Sequence, residues 1–412
     1  MGPADRHDHD LRLETVRARV ALGVLAAVAV TLPFSATAST SSLRADLAAS
    51  LRGQWLSPGH TAAYAIDLSS GTVLFAHNAN VPFVPASNAK LPVAFAALKR
   101  LGPSFRFQTD VAVTGARAGA VWRGDLVLRG HGDPTLSVGD LDTLATAVRA
   151  QGITRVTGWI RVDESTFDTR RGGPGWKRGW IGIESPPLSA LAVDRAIGWP
   201  TAAPAVLAGR AFRRALQRHG VAVANGVGPG RAEDGAAIVA VDRSVPLARI
   251  VRDMDRDSDN YTAELVLKAL GANTGVVGTT AAGAQVVRDE LAAAGVDLRG
   301  VRIADGSGLS GLDRVTTKAL VEVLRAALRD PTVRPAFLGS LAVAGRSGTL
   351  RDRMPALRWK VRGKTGTTNI ACALTGVIGD DVAFSVIQNG APVASWAARG
   401  AQDRFVAALA RR

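Results

Sequence analysis

Strand-forming patterns stand at two distant places in this chain, and the stretch between them changes character twice. From Thr61, "TAAYAIDLSSGTVLFAH" reads as two strands joined by a Ser-Gly turn. Leu91, Ala94, Phe95 and Leu98 then recur with helical spacing, and Gly102-Pro103 closes that segment. Between residues 105 and about 163, alternating stretches such as "FQTDVAVTG" and "AVWRGDLVLRG" predict a mainly β region with Gly-rich turns. "RRGGPGWKRGWIGIESPP" reads as loop, "GRAFRRALQRHG" as helix, and "NGVGPGRAEDGAA" as a boundary loop. Helical patterning dominates residues 245 to 328. Strands return in "RWKVRGKTGTTNIACALTGVI" and "VAFSVIQNG", and "WAARGAQDRFVAALARR" closes the chain as a helix packed on the sheet. The arrangement is an α/β (α+β) domain in two parts, residues 39–104 and 236–412, with a mostly β insertion at 105–235.

Composition narrows the function classes. With 412 residues, 47% hydrophobic and 21% charged, the chain is globular and long enough to bury sizeable cores. The net charge of +15 is carried mostly by arginine. No long Lys/Arg run, aromatic-basic platform or zinc-finger spacing accompanies it, so no nucleic-acid partner is expected; an anionic wall or membrane exterior fits better.

At the N-terminus, Arg12, Arg17 and Arg19 precede an apolar stretch from Val20 to Leu32 and the small-x-small triplet Ala36-Thr37-Ala38. This predicts a signal peptide at 1–38 and an exported, periplasmic or extracellular protein with no stable membrane span after cleavage. An uncleaved N-terminal anchor is the alternative. Cys372 is the only cysteine, which excludes an intramolecular disulfide and suits a small core residue. Scattered histidines and the absence of H-E-x-x-H and G-x-S-x-G weigh against zinc hydrolases and α/β-hydrolases. No metal or organic cofactor is expected.

Lysine is scarce, and only Lys90 has a serine three residues before it, in "VPASNAKLPV". Ser87 and Lys90 share a helical face, so the amine can reach the hydroxyl. Taken alone, this pair reads more readily as a helix cap and a solvated lysine. Two further motifs follow in order, Ser258-Asp259-Asn260 and Lys364-Thr365-Gly366. Each alone is weak. Together, S-x-x-K, S-D-N and K-T-G mark serine enzymes that acylate on the first serine. A serine hydroxyl needs a base, no histidine stands beside Ser87, and Lys90 can act as that base only if its pKa is lowered. Pro92 lies so near Ser87 that a tight first turn or a kink is expected.

The trio, with "LGPSFRFQTDV", "GDLVLRGHGDPTL", "DSDNYTAELVLKALG", "ADGSGLS" and "AGRSGTLRDRM", resembles the class C (DacB-like) low-molecular-mass penicillin-binding proteins, the S13 D-alanyl-D-alanine carboxypeptidases and endopeptidases. The resemblance runs from about residue 42 to the C-terminus. It implies a transpeptidase-like domain, an antiparallel sheet flanked by helices, and cleavage of peptidoglycan stem peptides, with β-lactams as covalent inhibitors. By the same resemblance Ser87 is the nucleophile and Lys90 the base, helped by positive charge on Lys364. Ser258 relays a proton, and Asn260 holds Lys90 and the substrate amide. Lys364, Thr365, Gly366 and Thr367 bind the substrate, and the backbone N–H groups of Ser87 and Thr367 form the oxyanion hole. Asp259 is expected to cap or point away, Asp305 and Ser307 to stabilise a turn near the site, and His131 and Asp133 to make a turn in the insertion. Two departures stand out. The gap between the first two motifs is shorter than is common in that family, and Val377 stands where an aromatic is frequent. A β-lactamase or esterase using the same site, and a wall-binding or β-lactam-sensing module, are the rival functions.

Overall fold

The structure is a computed structural model, and it describes residues 34–197 and 203–412. The leader expected at 1–38 lies, through residue 33, outside the described residues; residues 34–38 begin a helix. In chain order the first elements are α1 (Phe34–Ser50), β1 (Thr61–Asp67), β2 (Val73–His77) and α2 (Lys90–Arg100). The β1–β2 turn forms where Asp67 accepts from the backbone N–H groups of Ser69 and Ser70, and where Gly71 takes a φ of +74°.

The chain then leaves for the insertion: β3 (Gln108–Val113), β4 (Ala116–Ala118), β5 (Val121–Arg123), β6 (Leu126–Gly130), α3 (Val138–Ala150), β7 (Arg155–Val156), β8 (Ile160–Asp163), α4 (Pro204–Arg218), β9 (Ala222–Val223), β10 (Val227–Pro229) and β11 (Ile238–Arg243). It forms a five-stranded sheet, β10-β8-β6-β3-β11, and a small four-stranded sheet, β4-β5-β7-β9. Helices of 13 and 15 residues pack on those sheets, and the second, α4, contains the stretch "GRAFRRALQRHG" read as helix. The helix α3 was legible after all. Ser137 and Asp140 form a capping box, and Leu141, Leu144, Ala145 and Val148 are buried at helical spacing. Phe212 of α4 is fully buried in the core between these helices and sheets. The stretch expected as a boundary loop contains β10, paired with β8, and is followed by β11, paired with β3.

The remaining elements are α5 (Leu247–Asp257), α6 (Asn260–Ala272), α7 (Thr280–Ala293), α8 (Thr317–Arg329), α9 (Arg334–Ser340), β12 (Ala342–Val343), β13 (Val361–Thr367), β14 (Ala371–Ile378), β15 (Val382–Asn389) and α10 (Ser395–Leu409). The returning strands complete an antiparallel sheet in the order β12-β13-β14-β15-β1-β2. Both of its faces are covered. Ala373, Val377, Ala383 and Ile387 join the core of α2 and α5–α9, while Leu374, Ile378, Phe384 and Val386 face α1 and α10. That double burial is why β14 and β15 read as near-continuous apolar runs rather than alternating ones. Val377, the aromatic-to-valine departure, is simply a buried core residue there. Cys372 is buried in β14, as expected. No helix among the described residues is long and apolar enough to cross a membrane.

Candidate active site

The turn carrying Ser87 is a short 3-10 segment, Ala86–Ala89, and the α-helix α2 begins only at Lys90. This is the tight first turn that Pro92 demanded. Pro92 falls in the first turn of α2, where backbone N–H groups lack intrahelical partners, so its missing donor costs little. Ala86 takes a φ of +48°, turning Ser87 out of the chain direction. Asn88 pins the turn to the sheet by donating to Thr375 Oγ1 at 3.0 Å. Neither helix start is capped by a side chain, so Ser87 is not an N-cap.

Lys90 is completely buried, and its Nζ makes three contacts: Ser307 O at 2.6 Å, Asn260 Oδ1 at 2.8 Å and Ser87 Oγ at 3.1 Å. Burial brings its pKa down to about 8, against the opposing pull of Asp305, Glu264, Asp255 and Asp259. A neutral amine has two N–H bonds and one lone pair. The two oxygens of Asn260 and Ser307 take the two hydrogens, leaving the lone pair towards Ser87.

Ser258 sits in the left-handed region, φ +59°, at the joint between α5 and α6. Its Oγ accepts from Lys364 Nζ at 2.9 Å, and the same amine donates to Thr365 O at 2.9 Å. Lys364 is fully buried, and its pKa falls to about 7, through burial first and the charge of Lys90 second. Asp259 caps α6 by accepting from Thr262 and pairs with Arg195. Asn260 spans the site, for its Nδ2 donates to Glu184 O at 2.9 Å while its Oδ1 holds Lys90.

The β13 strand passes hard against the Ser87 turn. A side chain at Gly366 would bring a Cβ to 2.8 Å from Ser87 N and 3.0 Å from Pro85 O, so only glycine permits this approach. Thr365 donates to Thr349 Oγ1 at 2.6 Å, and Thr367 is exposed at the strand end. Along one side β13 pairs with β14 throughout, but on the other β12 pairs only with Arg362 and Gly363. Residues 364–367 thus present an open strand edge beside Ser87. A cleft of about 560 Å³ adjoins it, lined by Trp180, Glu184, Leu309, Thr367, Ile370 and Val393 among others.

Several contributors were missed in the sequence. Glu264 is fully buried and accepts from the N–H groups of Gly306 and Ser307, which aims the Ser307 carbonyl-bearing turn at Lys90; burial pushes its carboxyl up to about 8. Asp255, also buried, accepts from Ser340 Oγ at 2.6 Å, and burial raises it to about 6 despite the attraction of Lys364. Only their place within the motif-bearing helices could have drawn notice, since a buried acid has no spacing signature. Asp305 behaves as expected, closing its turn by accepting from Gly308 and Ser310 N–H at 2.7 Å each. It also accepts from Trp176 Nε1 at 2.8 Å, tying the 171–187 loop over the site. His131 lies apart in the insertion, bonded to Asp110, and Asp133 holds a local turn through Thr135. Among the described residues, no group of three or more His, Cys, Asp or Glu is placed to hold a metal ion.

The chain is similar to known proteins over most of its length. The chain is 31% identical over 438 residues to the D-alanyl-D-alanine carboxypeptidase of Actinomadura sp. (strain R39), covering 84% of this chain and 81% of that protein. It is 33% identical over 358 residues to Carboxypeptidase DacB of Mycolicibacterium smegmatis, covering 79% and 75%. Its fold matches penicillin binding protein 4 (dacB) from Haemophilus influenzae with a TM-score of 0.77 at 20% identity, over 89% of this chain and 99% of that one. The same H. influenzae protein complexed with a β-lactam gives a TM-score of 0.71 at 21% identity, over 87% and 97%. Residues 43–204 and 193–412 match the D-Ala-D-Ala carboxypeptidase 3 (S13) family, and the chain belongs to that family.

Proposed function

We propose that this serine-type D-Ala-D-Ala carboxypeptidase/endopeptidase works through an acyl-enzyme on Ser87, with Lys90 as its base. The observation that carries the assignment is the buried Lys90 amine, 3.1 Å from Ser87 Oγ and held by two acceptors that leave its lone pair to the hydroxyl. The stem peptide adds as a strand to the open edge at residues 364–367, and the absence of a side chain on Gly366 lets its backbone close on Ser87. Ser87 Oγ attacks the carbonyl of the penultimate D-alanine while neutral Lys90 takes the hydroxyl proton. The backbone N–H groups of Ser87 and Thr367 donate to the oxyanion, whose charge exists only in the transition state. The proton that Lys90 took from Ser87 passes through the Ser258 hydroxyl to the leaving amine of the terminal D-alanine, which leaves Lys90 neutral again, while Lys364 holds Ser258 by its hydrogen bond. Asn260 keeps Lys90 in register and offers its amide to the substrate. Water then attacks the ester, Lys90 takes its proton and returns it to Ser87 Oγ as the acyl–oxygen bond breaks, and free Ser87 returns.

The same geometry supports covalent capture of β-lactams, since a lactam carbonyl can occupy the place of the peptide carbonyl. Export to the cell wall is part of this reading, resting on the N-terminal pattern and on a wall substrate. For the domain division we place the insertion between about residue 105 and Ser244, since β11 belongs to its sheet. The test is release of D-alanine from a stem pentapeptide by the parent and by Ser87→Ala and Lys90→Met. Turnover by the parent alone is expected; turnover that survives in Ser87→Ala would refute the assignment.

A further inference from the structure

The substrate of this reaction ends in a carboxylate, and a cation is needed beside residues 364–367 to receive it. The lysine of that strand is poorly suited. Lys364 has no solvent exposure, and its Nζ is turned inwards to Ser258 Oγ and Thr365 O. A different cation reaches the place. Arg399, on α10, donates from Nη2 to Thr367 Oγ1 at 3.3 Å, and Thr367 stands at the exposed end of β13 and lines the cleft. Its side chain is exposed, and among the described residues it forms no ion pair, whereas Arg353, which donates to the Arg399 carbonyl, is taken by Asp403 at 2.7 Å. The helix that carries it is fixed. Ala398, Ala401, Gln402 and Phe405 are fully buried against the sheet, and Gln402 bonds Gln388 at 2.9 Å. A pre-positioned guanidinium with free donors next to a hydroxyl donor suits bidentate recognition of a carboxylate.

We propose that Arg399, together with Thr367, binds the terminal carboxylate of the substrate and so selects peptides whose leaving residue carries a free acid. The inference rests on the acyl-enzyme reading above. Arg399 acts on the leaving residue alone and moves no proton. Its positive charge is needed in the ground state and the transition state alike, and so it serves substrate choice more than chemistry.

The experiment compares the parent with Arg399→Gln and Arg399→Lys on two peptides, one ending in D-Ala-D-Ala and the other in the corresponding C-terminal carboxamide. In parallel, the rate of Ser87 acylation is read by mass for benzylpenicillin and for its methyl ester. For the parent, kcat/KM favours the acid peptide. In Arg399→Gln the acid peptide should lose about 10- to 100-fold in kcat/KM, as for a lost hydrogen bond to a charged group, while the amide changes little. Arg399→Lys should restore part of the preference. An equal loss on acid and amide, or no loss on either, would overturn the proposal. If no peptide is turned over even by the parent, the peptidase reading fails by itself. The proposal then stands or falls on the penicillin-to-ester acylation ratio, which must collapse in Arg399→Gln.

Discussion

The pH dependence of acylation follows directly from the burial of Lys90. An ordinary lysine titrates at 10.5, and burial brings Lys90 to about 8. At pH 7 the neutral fraction is then about one-tenth, against roughly one in three thousand for an unperturbed lysine. The sign is that acylation, which needs the neutral amine, rises with pH through about 8. Between pH 7 and pH 9 the second-order rate constant for acylation of Ser87 by a penicillin should grow about tenfold and then level off. Lys90→Arg keeps the positive charge but cannot deprotonate, so it should abolish this limb and nearly all acylation. Stopped-flow or quenched mass measurements at constant ionic strength provide the assay. A profile flat from pH 6 to 10, or a midpoint above 10, would refute desolvation as the means of activating the base.

Three further outcomes are expected. Gly366→Ala forces a Cβ against Ser87 N and Pro85 O, both backbone atoms that cannot swing aside; acylation should fall by about 100-fold with the fold retained by circular dichroism, as for a displacement of order 1 Å in a reactive geometry. Phe212→Ala empties a fully buried site in the insertion core and should cost about 3–5 kcal/mol in a thermal or urea melt. If the insertion is a separate unit, Ser87 should still be acylated well below the melting range; loss of acylation at 25 °C in a folded variant would contradict the division. Cys372, buried at 1% exposure, should react with a thiol reagent only after unfolding, and rapid labelling of the native protein would show that β14 is misplaced.

Much of the site could be read because its residues sit in short, rigid local settings. Ser87 to Asn88 to Lys90 is one turn, Ser258 to Asn260 is one helix joint, and residues 364–367 are one strand, so each motif keeps its shape in the chain. The returning strands were legible for the opposite reason: burial on both faces made "IACALTGVI" and "VAFSVI" almost wholly apolar. What escaped was set by contacts between distant residues. Glu264 shows nothing in sequence of its bonds to Gly306 and Ser307. Glu184 meets Asn260 only through a backbone carbonyl, which any residue type supplies. Arg399 lies on a helix whose polar face read as mixed, and only the packing of α10 on β14 brings it to Thr367. In the insertion, the Ser137–Asp140 capping box that starts α3 is a short local signal set among stronger alternating β patterns.

The central claim is that Ser87 forms the covalent intermediate with Lys90 as base. The most direct measurement is intact mass of the protein after excess penicillin, for the parent, Ser87→Ala and Lys90→Met. The account predicts one long-lived adduct on the parent, mapped to the peptide containing Ser87, and none on either variant within the same time. An adduct that persists in Ser87→Ala, or a parent that destroys penicillin without ever carrying a lasting adduct, would contradict it.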